Sequence, residues 1–206
     1  MGWMSNWDYA QVVPTETWRS AMTVARELKL FLVADSYQIT SYPVDELNNY
    51  IVKKSEIESV VVDSEFEFDK SDMSNWSSSS LEMTLTNAKD KQVKFVLENE
   101  SGEQLVFGLN FKEHQMYIER SQSGDLSFSE KFADSMTTAK IQNSNDDQNL
   151  MILLDKTSIE IFLNKGETVM TEIFFPSSPY SKLSLNAPNG SIGIENLKIS
   201  EVNTNE

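Results

Sequence analysis

From about residue 57 onward, apolar and polar side chains alternate with a period of two. Glu65-Phe66-Glu67-Phe68, Leu81-Glu82-Met83-Thr84-Leu85 and Val93-Lys94-Phe95-Val96-Leu97 show it first. Leu105-Val106-Phe107-Gly108-Leu109, Gln115-Met116-Tyr117-Ile118-Glu119 and Ser158-Ile159-Glu160-Ile161-Phe162 continue it, as does Ile192-Gly193-Ile194. Two apolar runs, Met151-Ile152-Leu153-Leu154 and Ile173-Phe174-Phe175, read as buried strands. Turn-formers separate the runs, among them Glu100-Ser101-Gly102, Ser123-Gly124-Asp125, Asn164-Lys165-Gly166 and Pro188-Asn189-Gly190. A strand turns successive side chains to opposite faces, so this alternation suits a sheet with one face buried. Many short strands at intervals of roughly 8–12 residues, with no helical period after residue 52, predict an all-β fold, an antiparallel β-sandwich. The serine run Ser77–Ser80 and the polar stretch 143–149 read as exposed loops.

Upstream the texture differs. Residues 1–34 are dense in apolar and aromatic side chains, with Trp3, Trp7, Tyr9 and Trp18 close together, and a polar stretch follows. After Pro43, the spacing of Val44, Leu47, Asn48 and Ile51 suits a short amphipathic helix. The chain thus divides into residues 1–42, a linker helix over 43–56, and the sandwich over 57–206.

Composition removes several classes of function. The formal net charge of -15 repels phosphate backbones and anionic lipid surfaces, so neither nucleic acid nor a membrane is an expected partner. No stretch approaches the ~18 apolar residues of a membrane span. The opening MGWMSNWDYA has neither the basic nor the apolar region of a secretory signal, which leaves a secreted and a cytoplasmic parent protein equally open. Without cysteine there is no disulfide or thiolate chemistry, and a single histidine, His114, excludes a multi-histidine metal site. No metal and no cofactor is expected.

Among the carboxylates, Glu65, Glu67 and Asp69 share one face of a strand, but their alternation with Phe66 and Phe68 makes that face a solvated exterior. Asp146 and Asp147 lack the spaced oxygen ligands of a calcium loop. His114 has no serine or carboxylate motif around it and reads as a surface-turn residue. The stronger candidate is the N-terminal aromatic cluster. Trp3, Asn6, Trp7 and Tyr9 place apolar ring faces beside polar groups, the pairing that a sugar ring and its hydroxyls require. Packing of the same rings in a protein interior is the competing reading.

Three segments carry a family resemblance. The first is Gly2-Trp3-Met4-Ser5-Asn6-Trp7-Asp8-Tyr9-Ala10 with Val13-Pro14-Thr15, Trp18-Arg19, Ala21-Met22-Thr23 and Arg26-Glu27-Leu28. The second is Asp155-Lys156-Thr157-Ser158-Ile159-Glu160-Ile161-Phe162-Leu163-Asn164, followed by Gly166, Thr168-Val169-Met170-Thr171 and Ile173-Phe174-Phe175-Pro176. The third is Tyr117-Ile118-Glu119-Arg120-Ser121 with Ser123-Gly124 and Phe128. Together they resemble glycoside hydrolase family 32, the β-fructosidases, in particular its levanase, exo-inulinase and invertase members. Ala25 stands where that family usually has proline.

The resemblance implies a five-bladed β-propeller followed by a β-sandwich, with residues 1–42 as a remnant of the last propeller blade. It implies a parent enzyme that hydrolyses fructan or sucrose by a retaining mechanism, with Trp3, Asn6, Trp7 and Tyr9 near the substrate. Retaining chemistry needs two carboxyl groups roughly 5–5.5 Å apart. The family takes them from an Asn-Asp-Pro-Asn segment and from a Glu before a Cys, with a further Asp in Arg-Asp-Pro. None of the three motifs occurs here: Arg19, Arg26 and Arg120 are not followed by Asp, and Asn145-Asp146-Asp147 is not followed by Pro. The chain by itself is therefore expected to be inactive, with no catalytic residue and a structural or sugar-binding role. A stand-alone carbohydrate-binding sandwich, or a subunit completing a separately supplied propeller, are the alternatives. Residues 3–34, as strands without most of their partners, are expected to dock on the sandwich, to associate with another chain as in a homo-oligomer, or to remain partly disordered.

Overall fold

The computed structural model describes residues 1–33, 35–70, 73–143 and 145–203. In chain order the strands are β1 (Arg26–Val33), β2 (Ser36–Pro43), β3 (Ile51–Val62), β4 (Glu65–Glu67), β5 (Ser79–Thr86), β6 (Gln92–Glu98) and β7 (Gln104–Asn110). They continue as β8 (Gln115–Gln122), β9 (Thr137–Lys140), β10 (Gln148–Leu154), β11 (Ser158–Leu163), β12 (Thr168–Ile173), β13 (Lys182–Asn186) and β14 (Ile192–Val202). Two six-stranded antiparallel sheets, β12-β11-β10-β5-β14-β3 and β4-β13-β6-β7-β8-β9, enclose the main core, and β1 and β2 form a separate two-stranded ribbon.

The core follows from the alternation. Phe95 and Phe107 are register partners on β6 and β7 and stack with ring centroids 5.0 Å apart, and Phe68 stacks on Phe95 from the far edge. Leu81 and Leu85 of β5 and Ile159 and Ile161 of β11 close this interior from the opposite sheet. Phe66 and Phe68 turn inward while Glu65 and Glu67 stay exposed, as the sequence pattern predicts.

Several local expectations are corrected. The helix predicted over 43–56 is one short 3-10 segment, Asp45–Tyr50, and the chain is already β3 from Ile51, where Ile51-Val52 and Val60-Val61-Val62 favour an extended backbone and pair with β14. Of the run Ile173-Phe174-Phe175 only Ile173 belongs to a strand, because β12 lies one step upstream. The serine run is not wholly a loop: Ser79 and Ser80 begin β5 between β10 and β14 and are fully buried, with the Ser79 hydroxyl donating to the Trp76 carbonyl at 2.7 Å. In the polar stretch 143–149, Gln148 and Asn149 open β10, and Ser144 lies outside the described residues. His114 is exposed in the β7–β8 turn with φ 53°.

Of the outcomes expected for residues 3–34, docking on the sandwich is observed for the stretch up to Arg26, while Leu28, Leu30 and Leu32 of β1 stay exposed. Met4, Tyr9 and Val13 pack with Phe132, Ala133, Ile173 and Phe175. Val24, Tyr42 and Leu47 cover Met151, Leu153 and Phe162 on the outer face of the first six-stranded sheet. Gly166 makes a close approach possible there. Its carbonyl accepts the Ser41 N–H at 3.0 Å, its φ is +85°, and a Cβ on it would stand 2.2 Å from the Ser41 carbonyl oxygen.

Gly166→Ala should therefore destabilise the docked segment by about 1–3 kcal/mol, and limited proteolysis of the folded variant should cut faster within residues 1–43 than in the parent chain. Burial raises the phenol pKa of Tyr9, Tyr42, Tyr117 and Tyr180, for Tyr180 strongly. A folded-state pKa above the unfolded one gives stability that is complete below about pH 10 and falls as pH rises further. Denaturant midpoints should thus be lower at about pH 11 than at about pH 8, with tyrosinate absorbance appearing together with unfolding.

Candidate functional site

The aromatic cluster at the N-terminus divides into two parts. Trp3 forms an isolated bridge with Met22, and the chain turns after Asn6, whose backbone carbonyl accepts from the N–H groups of Tyr9 and Ala10. The Asn6 side-chain oxygen accepts from the Asp8 N–H at 3.0 Å and supports the same turn. Trp3 and Trp7 meet through this turn, not along a regular strand, with ring centroids 5.0 Å apart and planes tilted by 60°. Trp7 is 80% exposed and Trp3 half-buried, so the pair presents an indole surface beside the polar Asn6.

Tyr9 points the other way. It is buried against Phe132, at 5.1 Å between centroids, and against Phe128 at 6.5 Å. Burial pushes its hydroxyl pKa up, and the neighbouring Arg120 guanidinium partly offsets this. Tyr9 thus fastens the N-terminal segment to the sandwich, while Asn6 and Trp7 are exposed and Trp3 is half-buried beneath Trp7.

A buried ion pair, which strand alternation alone does not reveal, lies on the outer face of the first six-stranded sheet. Glu160 projects from the outer face of β11, where one carboxylate oxygen accepts the Val24 N–H at 2.9 Å and the other receives the Arg26 guanidinium. Arg26 also donates to the Thr171 hydroxyl at 2.7 Å and lies over the Phe162 ring, 4.9 Å from its centroid. A second buried pair joins Arg120 and Glu172 at 3.1 Å, with Arg120 donating to the Ile173 carbonyl and lying over Phe132. Both buried glutamates are thus held by arginines. Among the described residues, no group of three or more histidine, cysteine, aspartate or glutamate side chains is arranged to hold a metal ion.

These two pairs tie together the three segments that carry the resemblance, and the family comparison covers the same span. The family model described as Glycosyl hydrolases family 32 C terminal matches residues 46–201, and the one described as Glycosyl hydrolases family 32 N-terminal domain matches residues 1–43. The chain belongs to glycoside hydrolase family 32. It is 28% identical over 200 residues to a levanase of Bacillus subtilis (strain 168), covering 97% of this chain and 30% of that protein. It is 30% identical over 182 residues to an extracellular exo-inulinase of Aspergillus awamori, covering 86% and 34%. The crystal structure of exo-inulinase from Aspergillus awamori superposes with a TM-score of 0.80 at 25% identity, covering 98% of this chain and 39% of that one. The chain thus spans about a third of the length of these relatives.

Removing one partner of a buried ion pair leaves the other charge uncompensated, at a cost of about 3–5 kcal/mol. Glu160→Ala should lower stability by that order, read from the denaturant midpoint. A double Arg26→Met, Glu160→Leu variant should recover part of the loss, because no lone charge is then buried, but not all of it, because the Val24 N–H still lacks its acceptor.

Proposed function

We propose that this chain is the C-terminal part of a β-fructosidase acting on fructan or sucrose, with a structural or sugar-binding role and no hydrolytic activity of its own. Residues 1–42 belong in this reading to the last blade of the N-terminal propeller, and the sandwich that follows braces it.

One observation carries the reading. In the β1–β2 ribbon, Leu28, Leu30 and Leu32 lie on one face together with Ile39, the register partner of Leu30, and Tyr37, the partner of Leu32. All five are at least 60% exposed. A two-stranded ribbon is marginal in water by itself, and a contiguous apolar face of this kind marks a contact surface. The face lies within the stretch that matches the family's N-terminal domain, so the remaining strands of that domain are the partner that fits it. The sequence supports the second half of the reading, since none of the family's three carboxylate motifs is present.

The Trp3–Trp7 pair, in which Trp7 is exposed and Trp3 half-buried, favours a second role, contact with the sugar. An indole surface beside an amide offers apolar stacking together with hydrogen bonding. Purified chain incubated with levan, inulin and sucrose should release no fructose above the buffer control. Release with contaminating enzyme excluded would mean that carboxylates assigned here to surface and structure form a working pair. Binding of the same sugars, where present, should fall on Trp3→Ala and Trp7→Ala.

A further inference from the structure

The outer face of the first six-stranded sheet carries a groove of about 210 Å³ that is lined neither by the tryptophan pair nor by the five exposed apolar residues of the ribbon. Its walls are Tyr42 of β2 and outward side chains of three neighbouring strands: Asn149 of β10, Glu82 and Thr84 of β5, and Lys198 of β14. Register brings these together. Thr84 is the partner of Asn149, and Glu82 is the partner of Lys198. The Thr84 hydroxyl donates to the Asn149 side-chain oxygen at 3.2 Å, which leaves the Asn149 amide nitrogen at the groove.

Two features set this patch apart from an ordinary solvated sheet face. The pairing of β14 with β5 breaks between Glu195 and Lys198, and within this bulge Asn196 adopts φ 52° and lines the groove. Bulges re-aim side chains, and asparagine is among the residues that take up this left-handed backbone readily. The second feature is the Tyr42 ring, which meets Phe162 edge to face at 5.7 Å and supplies an apolar wall held in place from behind. The phenol lies close enough to Glu82 for that carboxylate, after burial itself, to raise its pKa.

We infer that the Tyr42–Glu82–Asn149–Lys198 groove is a sugar-binding subsite for one ring of a neutral oligosaccharide, separate from the tryptophan pair. The volume is below the roughly 300 Å³ at which drug-sized pockets begin, which suits a single ring. Carboxylate, amide and ammonium groups alternate along it, so vicinal hydroxyls meet acceptors and donors in turn, and Tyr42 covers an apolar edge of the ring. An anion would gain from Lys198 and from Lys165 at the rim but would face Glu82 within a chain of net charge -15. That the oligosaccharide is a fructan rests on the proposed function; the groove itself does not.

The test is titration of the full chain with an inulin-type fructo-oligosaccharide, followed by backbone-amide NMR and by calorimetry, with a malto-oligosaccharide and inorganic phosphate as parallel probes. Amides of Thr84, Asn149 and Lys198 should shift with the fructo-oligosaccharide. Glu82→Gln and Asn149→Ala, whose folding is checked by thermal melting, should weaken this binding by about five- to tenfold. Tyr42→Phe, which keeps the packing on Phe162, should change it less, and Trp3→Ala with Trp7→Ala should leave the shifts at Thr84 and Lys198 in place. Shifts confined to Trp3 and Trp7 would overturn the groove and leave the tryptophan reading standing. Phosphate shifting the groove while the oligosaccharides do not, or no groove shifts at all, would also overturn it. A malto-oligosaccharide response without a fructan response would keep the subsite and remove the fructan assignment.

Discussion

The Glu160 carboxylate is the point through which the N-terminal segment and the sandwich become one body. It stands on β11, a strand buried on both sides, and one of its oxygens closes a backbone donor of Val24 while the other meets Arg26. A carboxylate in that position is tolerated only if it is both paired and hydrogen-bonded, because desolvation outweighs Coulomb attraction when either is missing. Both requirements are met from residues 24–26, roughly 134 positions away along the chain. Removing the segment would uncover a charge together with the apolar groups around it, Met151, Leu153 and Phe162. The sandwich therefore carries a binding face made for the segment that precedes it.

The same logic recurs at the other end of the interface. Arg120 is buried between Glu172, the Ile173 carbonyl and the Phe132 ring, and Tyr9 comes in from the N-terminal segment against Phe132 and Phe128. Each anchor thus joins an arginine, a glutamate, an aromatic face and a residue of the first 26. Ion pairs give these contacts direction, and the apolar clusters supply the area. The segment held in this way is the one that matches the family's N-terminal domain, residues 1–43.

Much of the fold was legible because strand alternation is a local property. Phe66 and Phe68 inward, Glu65 and Glu67 outward, and the order of strands from β5 to β8 follow from it directly. Other elements were missed for physical reasons. β9 and β13 are short, and β2, with Ser36, Gln38, Thr40 and Ser41, has a polar composition that reads as a loop. Ser79 and Ser80 look like loop residues in the sequence but are buried, since two flanking strands satisfy their backbone and the Ser79 hydroxyl finds the Trp76 carbonyl. Of the four residues expected near a substrate, Trp3, Asn6 and Trp7 are presented together, whereas Tyr9 belongs to the interface, a distinction that depends on a turn after Asn6 that no alternation pattern reveals.

By itself the sequence determined the all-β class, the family, and the absence of its carboxylate motifs, because each of these is written in residue types and their spacing. The alternation Ile159-Glu160-Ile161 sets Glu160 on the face opposite its two isoleucine neighbours. Only the tertiary structure decided that this face is covered, that Arg26 and Val24 reach it, and that Leu28, Leu30, Leu32, Tyr37 and Ile39 gather on one open side of a ribbon. Those facts depend on which surfaces meet across more than a hundred residues of chain, and a period of two says which way a side chain points but not what stands opposite it.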